Sequence, residues 1–273
     1  MKIGKATVPE SAICGADDET IVVRGADLCR DLIGRVSFTD YVWLLVTGER
    51  PDAMQSRLLD ATLVAIAEHG LVPSVQAARM TLAAAPDALQ GAVAAGILGC
   101  GSVILGASET AGRFFLRIDA IAREKRVSLE DAASEVVREL RAAKHAVPGY
   151  GHPLHKDRDP RVARLFAVAA EAGTPGHFIA IAEAVEGVLP GITNRDLRLN
   201  VSAAIPAVLL DVGFPAEALR GVPILARCAG LIGHLTEELA RPIGFALSYQ
   251  ATREQRYTGA LPPGVTLKPG GHG

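Results

Sequence analysis

Hydrophobic residues along most of the chain recur at spacings of three and four, between residues that typically start and end helices. From Pro51 to Gly70 one face carries Leu58, Leu59, Leu63, Val64 and Ile66. Proline suits the first turn of a helix, and glycine suits the position just beyond its end. The pattern therefore predicts an amphipathic helix between Pro51 and Gly70.

Further helices are predicted from their end residues. They start at Pro73, after Ser128 and at Asp159-Pro160, and a long helical stretch runs from Pro223 to Arg241. The β-branched run Thr20–Arg24 is strand-like. No alternation of strands and helices is present, so a dinucleotide-binding fold is not expected. The predicted fold class is all-α with a short N-terminal β segment.

Composition narrows the class of protein. The 273 residues are 49% hydrophobic but only 4% aromatic, so the core must consist mainly of Ala, Leu, Val and Ile. The formal charge of −2 offers no basic surface for nucleic acid. Ala88–Ser108 has no charged residue and is long enough to span a bilayer, but five glycines interrupt it. We interpret this stretch as a core helix whose glycines allow close helix packing, and we expect no membrane association.

The cysteines and the first residues indicate a cytoplasmic protein. Cys14, Cys29, Cys100 and Cys228 are far apart with no C-x-x-C spacing, which argues against zinc and against a disulfide framework. Met1–Lys5 leads into polar sequence without the apolar run of a signal peptide.

The stretch Val147–Arg161 has the strongest chemical character. Its Pro-Gly-Tyr-Gly turn exposes backbone amides, which suits an anionic or nucleotide-like ligand. Arg161 lies in the first turn of a predicted helix, where a cation opposes the helix dipole and a bound carboxylate would relieve the cost. A loop with solvated charges fits the composition equally well, so the residues alone leave both interpretations open.

The order of these residues resembles the citrate synthase superfamily signature, in which Gly-x-Gly-His precedes the Arg of Asp-Pro-Arg by nine residues, as His152 precedes Arg161. The resemblance implies that His152 hydrogen-bonds the oxygen of the reacting carbon and that Arg161 binds a carboxylate. It also places the loop along coenzyme A. The implied coenzyme-binding residues are Val147, Gly149, Tyr150, Gly151 and Lys156.

Three further stretches extend the resemblance over about residues 40 to 259. Ala67–Gly70 resembles the Ala-Asp-His segment, which implies that His69 is a substrate ligand. Ala226–Gly230 resembles Ala-Arg-x-x-Gly, which implies that Arg227 pairs with another carboxylate. Asn200–Ser202 resembles the Asn-Val-Asp segment.

Two departures from the family pattern bear on the reaction. Ile104 stands where citrate synthases have the His that enolises acetyl-CoA, and an aliphatic side chain cannot donate that hydrogen bond. The lyase module of ATP-citrate lyase resembles this chain in lacking that His, so we prefer cleavage of citryl-CoA to citrate synthesis. Ser202 replaces the Asp that exchanges a proton with the acetyl methyl group, and a hydroxyl is a poor substitute. Glu68, Asp157 and Asp196 are candidate replacements that the sequence does not rank.

The expected enzyme is a citryl-CoA lyase that yields acetyl-CoA and oxaloacetate, with His152 and His69 as catalytic residues. Its site would lie in a cleft between a large helical domain (1–105 and 216–273) and a small one (106–215). The alternatives are a lyase or synthase for another 2-hydroxy acyl-CoA, and a non-catalytic protein that binds CoA and carboxylates.

The expected ligands are an acyl-CoA and a di- or tricarboxylate, with the CoA thioester as substrate and no permanently bound cofactor. No metal site is expected, because Pro and Gly between His145, His152 and His155 fix no ligand geometry. A homodimer or larger homo-oligomer is expected from the family and from the apolar Ala88–Leu105 and Ile224–Leu239 stretches.

Overall fold

The computed structural model describes residues 9–101, 105–151 and 159–266, which are mostly helical, as the sequence predicts. The strands are β1 Cys14–Ala16, β2 Ile21–Val23 and β3 Ala26–Asp27, followed by a π-helical turn at Leu28–Leu32. The helices are α1 Phe38–Thr47, α2 Ala53–Ala67, α3 Pro73–Ala84, α4 Leu89–Leu98, α5 Ala107–Lys125, α6 Leu129–Ala142, α7 Pro160–Ala172, α8 His177–Thr193, α9 Val201–Asp211, α10 Gly221–Ala240 and α11 Gly244–Glu254.

The short strands form one antiparallel sheet in the order β1-β2-β3. Cys14 pairs with Val23, and Val23 pairs with Ala26 across the next hairpin. Val23 is buried and packs with Leu32 and Leu44, so the sheet packs against the Leu28–Leu32 turn and α1. The predicted β segment is confirmed, although its strands are shorter than the predicted Thr20–Arg24 run.

Several helix ends lie where the sequence predicts them. The Ser128 hydroxyl accepts a hydrogen bond from Asp131 N (3.0 Å) and caps α6. Asp159 caps α7, whose first residue is Pro160 and whose C-cap, Gly173, has φ +77°. Helix α2 ends at Ala67, three residues before the predicted stop at Gly70. It ends early because the Glu68 carboxylate binds the amides of His69 and Gly70.

The chain forms two compact units. Unit 1 lies within Met1–Ala65 and Ala107–Val222, and unit 2 lies within Ile66–Gly106 and Pro223–Gly273. The chain thus passes between units close to the predicted boundaries at 105/106 and 215/216, although the segment before residue 66 is compact with unit 1. The division into a large and a small functional domain stays a prediction.

Helix α9 is the central helix of unit 1. Every residue from Ala203 to Leu209 is buried, and the helix packs against α5, α7 and α8. A glycine permits the contact with α5, because a Cβ on Gly112 would lie 3.2 Å from Pro206 Cβ and 2.4 Å from a methyl of Leu219. The N-terminus of α9 is therefore fixed by packing along its length.

Unit 2 packs α3, α4, α10 and α11 around a small aliphatic core, which includes Val75, Leu82, Ala92, Leu231 and Leu235. A Cβ on Gly96 would lie 2.7 Å from a Leu231 methyl and 2.9 Å from Ser74 O, so this glycine does allow close packing. No helix among the described residues is long and apolar enough to cross a membrane.

A buried ion pair joins α3 to the end of α10. Arg79 is 2% exposed; its Nε donates to Glu238 Oε2 at 2.6 Å and its Nη1 donates to Glu237 Oε2 at 2.9 Å. Glu238 also accepts from the amides of Ile243 and Gly244, which begin α11. Burial opposes the charge of Glu238, but these partners keep its pKa below the ordinary value. The pair therefore connects three helices of unit 2.

We predict that Glu238→Ala lowers the free energy of unfolding by about 3–5 kcal/mol, because it leaves a buried guanidinium without its main partner. Glu237→Ala is the matched control. Its carboxylate binds the same arginine but is half exposed, so we expect a loss of about 1 kcal/mol or less. Urea denaturation of both variants measures the difference, and equal losses would contradict the prediction.

Candidate active site

The glycine loop that the sequence analysis singles out is held on the first turn of α9. Asn200 N donates to Gly149 O at 3.0 Å, and Asn200 Nδ2 donates to Gly151 O at 2.8 Å. Asn200 also caps α9 through the amide of Ser202 at 2.9 Å. One side chain therefore ties the loop to the helix end that carries Ser202.

Gly149 is required at the point of contact. Its φ is +82°, and a Cβ there would lie 2.4 Å from the Cβ and 3.0 Å from the Cα of Ala203. The next residue, Tyr150, is buried and donates its hydroxyl proton to Ala182 O at 2.8 Å. The loop is thus anchored on two sides, to α9 and to α8.

The Asp-Pro-Arg motif lies against the same helix end. The Asp159 carboxylate is 2% exposed and accepts from Arg161 Nε (3.0 Å) and Nη2 (2.8 Å). Its Oδ2 also lies 3.3 Å from Val201 N at the start of α9. Burial raises the pKa of Asp159, but its bonds to Arg161 and to backbone amides outweigh this, and the pKa lies below its ordinary value.

The charge of Arg161 already has a carboxylate partner within the chain. A bound carboxylate is therefore not needed to relieve the cost of a cation in the first turn of α7, because Asp159 does so. The Arg161 side chain remains 21% exposed and is therefore still accessible. Its role as a substrate ligand stays a prediction.

In unit 2 the end of α2 meets α10 at a glycine. A Cβ on Gly230 would lie 2.1 Å from Ala67 O, so only glycine permits this approach. His234, one turn further along α10, places Nε2 2.9 Å from Glu68 Oε2, without the N–H alignment of a hydrogen bond. The Ala67–Gly70 and Ala226–Gly230 stretches therefore form one cluster, in which His69 follows Glu68.

Arg227 is the most unusual charged residue of this cluster. It is 4% exposed, yet Nε and Nη1 are buried and have no hydrogen-bond partner among the described residues. It lies on α10 three residues before Gly230 and seven before His234, a spacing that places all three on one helix face. A guanidinium so placed has donors available for an anion.

The predicted site residues divide as follows. Val147, Gly149, Tyr150, Gly151, Arg161 and Ser202 meet around the start of α9 in unit 1, whereas His69 and Arg227 belong to the α2–α10 cluster in unit 2. His152, Lys156, Asp157 and Ile104 lie outside the described residues.

Sequence reasoning missed that Asn200 caps α9, that Asp159 pairs with Arg161 and that Glu68 lies beside His234. A signal was present for Asn200, because Asn directly before a helix commonly caps it. Nothing local indicated that Glu68 would contact His234, since the two are far apart in sequence. Among the described residues, no group of three or more His, Cys, Asp or Glu side chains is arranged to hold a metal ion.

Comparisons with known proteins agree with this architecture. The family model described as citrate synthase, C-terminal domain, matches residues 48–243, well over half of the chain. The chain belongs to the citrate synthase family. Its matched segment includes both clusters described above.

Individual solved structures give finer detail. The structure of citryl-CoA lyase from Hydrogenobacter thermophilus has 33% identity and a TM-score of 0.82, over 95% of this chain and 98% of that one. An ATP citrate lyase from Methanosaeta concilii shares the fold at 24% identity and a TM-score of 0.72, over 87% of this chain and 40% of that one.

A citrate synthase-like protein of Aspergillus oryzae is 26% identical over 212 residues, 73% of this chain and 45% of the relative. The chain spans about half the length of the curated relatives it matches.

We predict that Gly149→Ala lowers the free energy of unfolding by about 3 kcal/mol or more, because the positive φ and the overlap with Ala203 both oppose a side chain. Gly173→Ala is the control. Gly173 has a similar φ, but a Cβ there would meet nothing within 4 Å, so only the backbone cost of about 1–2 kcal/mol applies. Denaturation midpoints of the two variants measure the contact, and indistinguishable midpoints would refute it.

Proposed function

We propose that this member of the citrate synthase family is a carbon–carbon lyase that cleaves citryl-CoA to acetyl-CoA and oxaloacetate. The similarity to citryl-CoA lyase from Hydrogenobacter thermophilus, over 98% of that chain, supports the choice of reaction. The ATP citrate lyase from Methanosaeta concilii, whose structure contains (3S)-citryl-CoA, shares the fold.

The buried Arg227 carries the proposal from the structural side. Burying a cation without a partner costs several kcal/mol, so a fold retains one when something else supplies the partner. A planar carboxylate matches the donors of a guanidinium, which can bind both of its oxygens. Citryl-CoA and oxaloacetate each carry two carboxylates, and we assign these to Arg227 and Arg161.

In the proposed reaction His152 removes the proton from the tertiary hydroxyl of citryl-CoA, and His69 hydrogen-bonds the same oxygen. The C–O bond becomes the ketone of oxaloacetate as the bond to the acetyl carbon breaks, and its electron pair leaves with acetyl-CoA as the enolate. An acid then protonates this carbon. The Val147–Gly151 loop and Lys156 bind CoA, which enters as the substrate's thioester rather than as a resident cofactor.

The acid is the open part of the proposal. Ser202 stands where the family has its Asp, although its amide is held in place by Asn200. Glu68 is occupied by two amides and His234, and Asp196 is exposed in an ion pair with Arg198 (2.8 Å). Neither is a good proton donor in this arrangement. Asp157 lies outside the described residues and is therefore still a candidate.

The Ser202 substitution supports two alternative functions. The first is a protein that binds CoA and carboxylates without turnover, and the second is a lyase or synthase for another 2-hydroxy acyl-CoA. Calorimetry with CoA, acetyl-CoA, citrate and oxaloacetate separates the first of these, since a binder retains its ligands but shows no chemistry. Ser202→Asp adds a further distinction. A large gain in citryl-CoA cleavage indicates a weakened lyase, and no gain indicates different chemistry.

We predict that Arg227→Met reduces kcat/KM for citryl-CoA cleavage about a hundredfold or more. The rate is measured in an assay that couples the release of oxaloacetate to its reduction. Its free energy of unfolding without ligand should change by less than about 1 kcal/mol or rise, because the variant removes a buried charge whose Nε and Nη1 have no hydrogen-bond partner among the described residues.

Two controls accompany this experiment. Arg79→Met replaces an equally buried arginine that has two carboxylate partners, and we expect a loss of about 3–5 kcal/mol of unfolding free energy. His152→Ala sets the background rate. Cleavage by the natural protein that does not exceed this background would remove the lyase assignment.

We also propose that the protein is a cytoplasmic homodimer or larger homo-oligomer. An exposed stripe of small and apolar residues runs along α10 in unit 2, formed by Ala229, Ile232, Gly233, Thr236 and Leu239. Ile232 is 51% exposed and Leu239 is 64% exposed, and apolar surface of this kind favours contact with a second copy. The four free cysteines are compatible with a reducing compartment.

We predict that Leu239→Glu shifts the protein to a monomer in light scattering at micromolar concentration, because it buries a charge at the proposed contact. Val64→Glu is the comparison for an exposed apolar residue outside both apolar stretches, at 73% exposure on α2. A monomeric natural protein under the same conditions would contradict the proposal.

A further inference from the structure

The carboxylate of Glu68 occupies a site built from backbone and side-chain groups at the end of α2. Its Oε1 accepts from the amide of His69 at 2.8 Å and from the amide of Gly70. Its Oε2 lies 2.9 Å from Nε2 of His234 on α10. Oε1 is therefore hydrogen-bonded by the turn that carries His69, and Oε2 lies beside a helix far along the chain.

The absence of a side chain at residue 230 makes room for this arrangement. A Cβ on Gly230 would lie 2.1 Å from Ala67 O and 3.2 Å from Glu68 Oε2. The last carbonyl of α2 and the carboxylate thus approach the backbone of α10 directly. Any larger residue at 230 would separate the turn from the helix that carries His234 and Arg227.

The Glu68 carboxylate accepts hydrogen bonds from two consecutive amides of this turn. Glu68, His69 and Gly70 are all exposed and lie outside regular secondary structure, so their backbone is not fixed by burial. A charged acceptor that binds two consecutive amides restricts this backbone, and bonds to a charged group are stronger than neutral ones. The His234 side chain is only 15% exposed, so its position is fixed by packing, and its Nε2 lies 2.9 Å from the carboxylate.

We infer that Glu68 and His234 are positioning residues that fix the backbone of His69, so that its imidazole meets the substrate oxygen in one orientation. The inference rests on the proposed function for the role of His69. It assigns Glu68 a task different from the proton donation for which it was a candidate.

The charge state of Glu68 agrees with a positioning role. Burial raises the pKa of Glu68, but His234 and the amides of Gly70 and His69 together lower it by more than burial raises it. The pKa therefore lies below the ordinary value. A carboxyl group that stays ionised at neutral pH cannot deliver a proton to a carbanion. It can, however, accept hydrogen bonds continuously, which is what the turn requires.

The test compares Glu68→Ala, Glu68→Gln and His69→Ala with the double variant that carries Glu68→Ala and His69→Ala. Asp87→Ala is the control, because Asp87 is an exposed carboxylate in the turn between α3 and α4 of the same unit. Two quantities are measured on the full chain. They are kcat/KM for citryl-CoA, separated into kcat and KM, and the hydrogen-exchange rate of the Gly70 amide.

We expect Glu68→Ala to lower kcat/KM about tenfold to a hundredfold, because loss of orientation by about 1 Å has effects of this size. Glu68→Gln keeps an acceptor and should lose less. In the His69→Ala background the same change should have almost no further effect, since Glu68 acts through His69. Gly70 exchange should accelerate in Glu68→Ala and stay unchanged in Asp87→Ala. His234→Gln, which keeps a polar N–H group near the carboxylate, should retain more activity than His234→Ala.

A kcat/KM for Glu68→Ala within twofold of that of the natural protein would overturn the inference. So would a double variant whose kcat/KM falls below that of His69→Ala by the same factor that Glu68→Ala causes alone. Failure of the proposed function gives a different result, namely no cleavage by the natural protein. In that case the dissociation constant for citrate, measured by calorimetry, replaces kcat/KM in the same comparison. Gly70 exchange is measured without any activity, and unchanged exchange in Glu68→Ala would also contradict the inference.

Discussion

The arrangement of unit 1 depends on one close backbone contact, between Gly149 and the first turn of α9. Because Gly149 has no side chain, its loop can lie directly on Ala203, where Asn200 binds it at two carbonyls. The same turn receives the Asp159 carboxylate at Val201 N, and through it Arg161. The buried helix α9 thus fixes two segments at its N-terminal end, the glycine loop and the Asp159–Arg161 motif.

Unit 2 also contains a close backbone contact at a glycine, Gly230, and it has two buried arginines with different partners. Arg79 has two carboxylates and a backbone carbonyl as partners, so its charge belongs to the internal structure of the unit. Arg227 is about as buried but has unpartnered donors among the described residues. Because both side chains are almost fully buried, the difference in partners is the basis for treating Arg79 as part of the internal structure and for proposing Arg227 as a carboxylate ligand.

Local signals in the sequence predicted a good part of the fold. Pro73, the Ser128 cap and the Asp159-Pro160 start all lie where expected, because capping and proline effects act within about one helical turn. The same reasoning gave no helix for 201–211, which contains an internal proline, Pro206, that local rules read as a helix end. Packing of α9 inside unit 1 outweighs the lost hydrogen bond.

The helical class, the family and the motifs that carry the candidate chemistry can all be inferred from the order of residues, since periodicity, caps and motif spacing are local properties of the chain. Which charges have partners inside the protein becomes known only from the folded arrangement. Glu238 neutralises Arg79 from 159 positions away, and His234 faces Glu68. Such pairings depend on which helix faces meet after folding, and a linear pattern of residues does not contain that information.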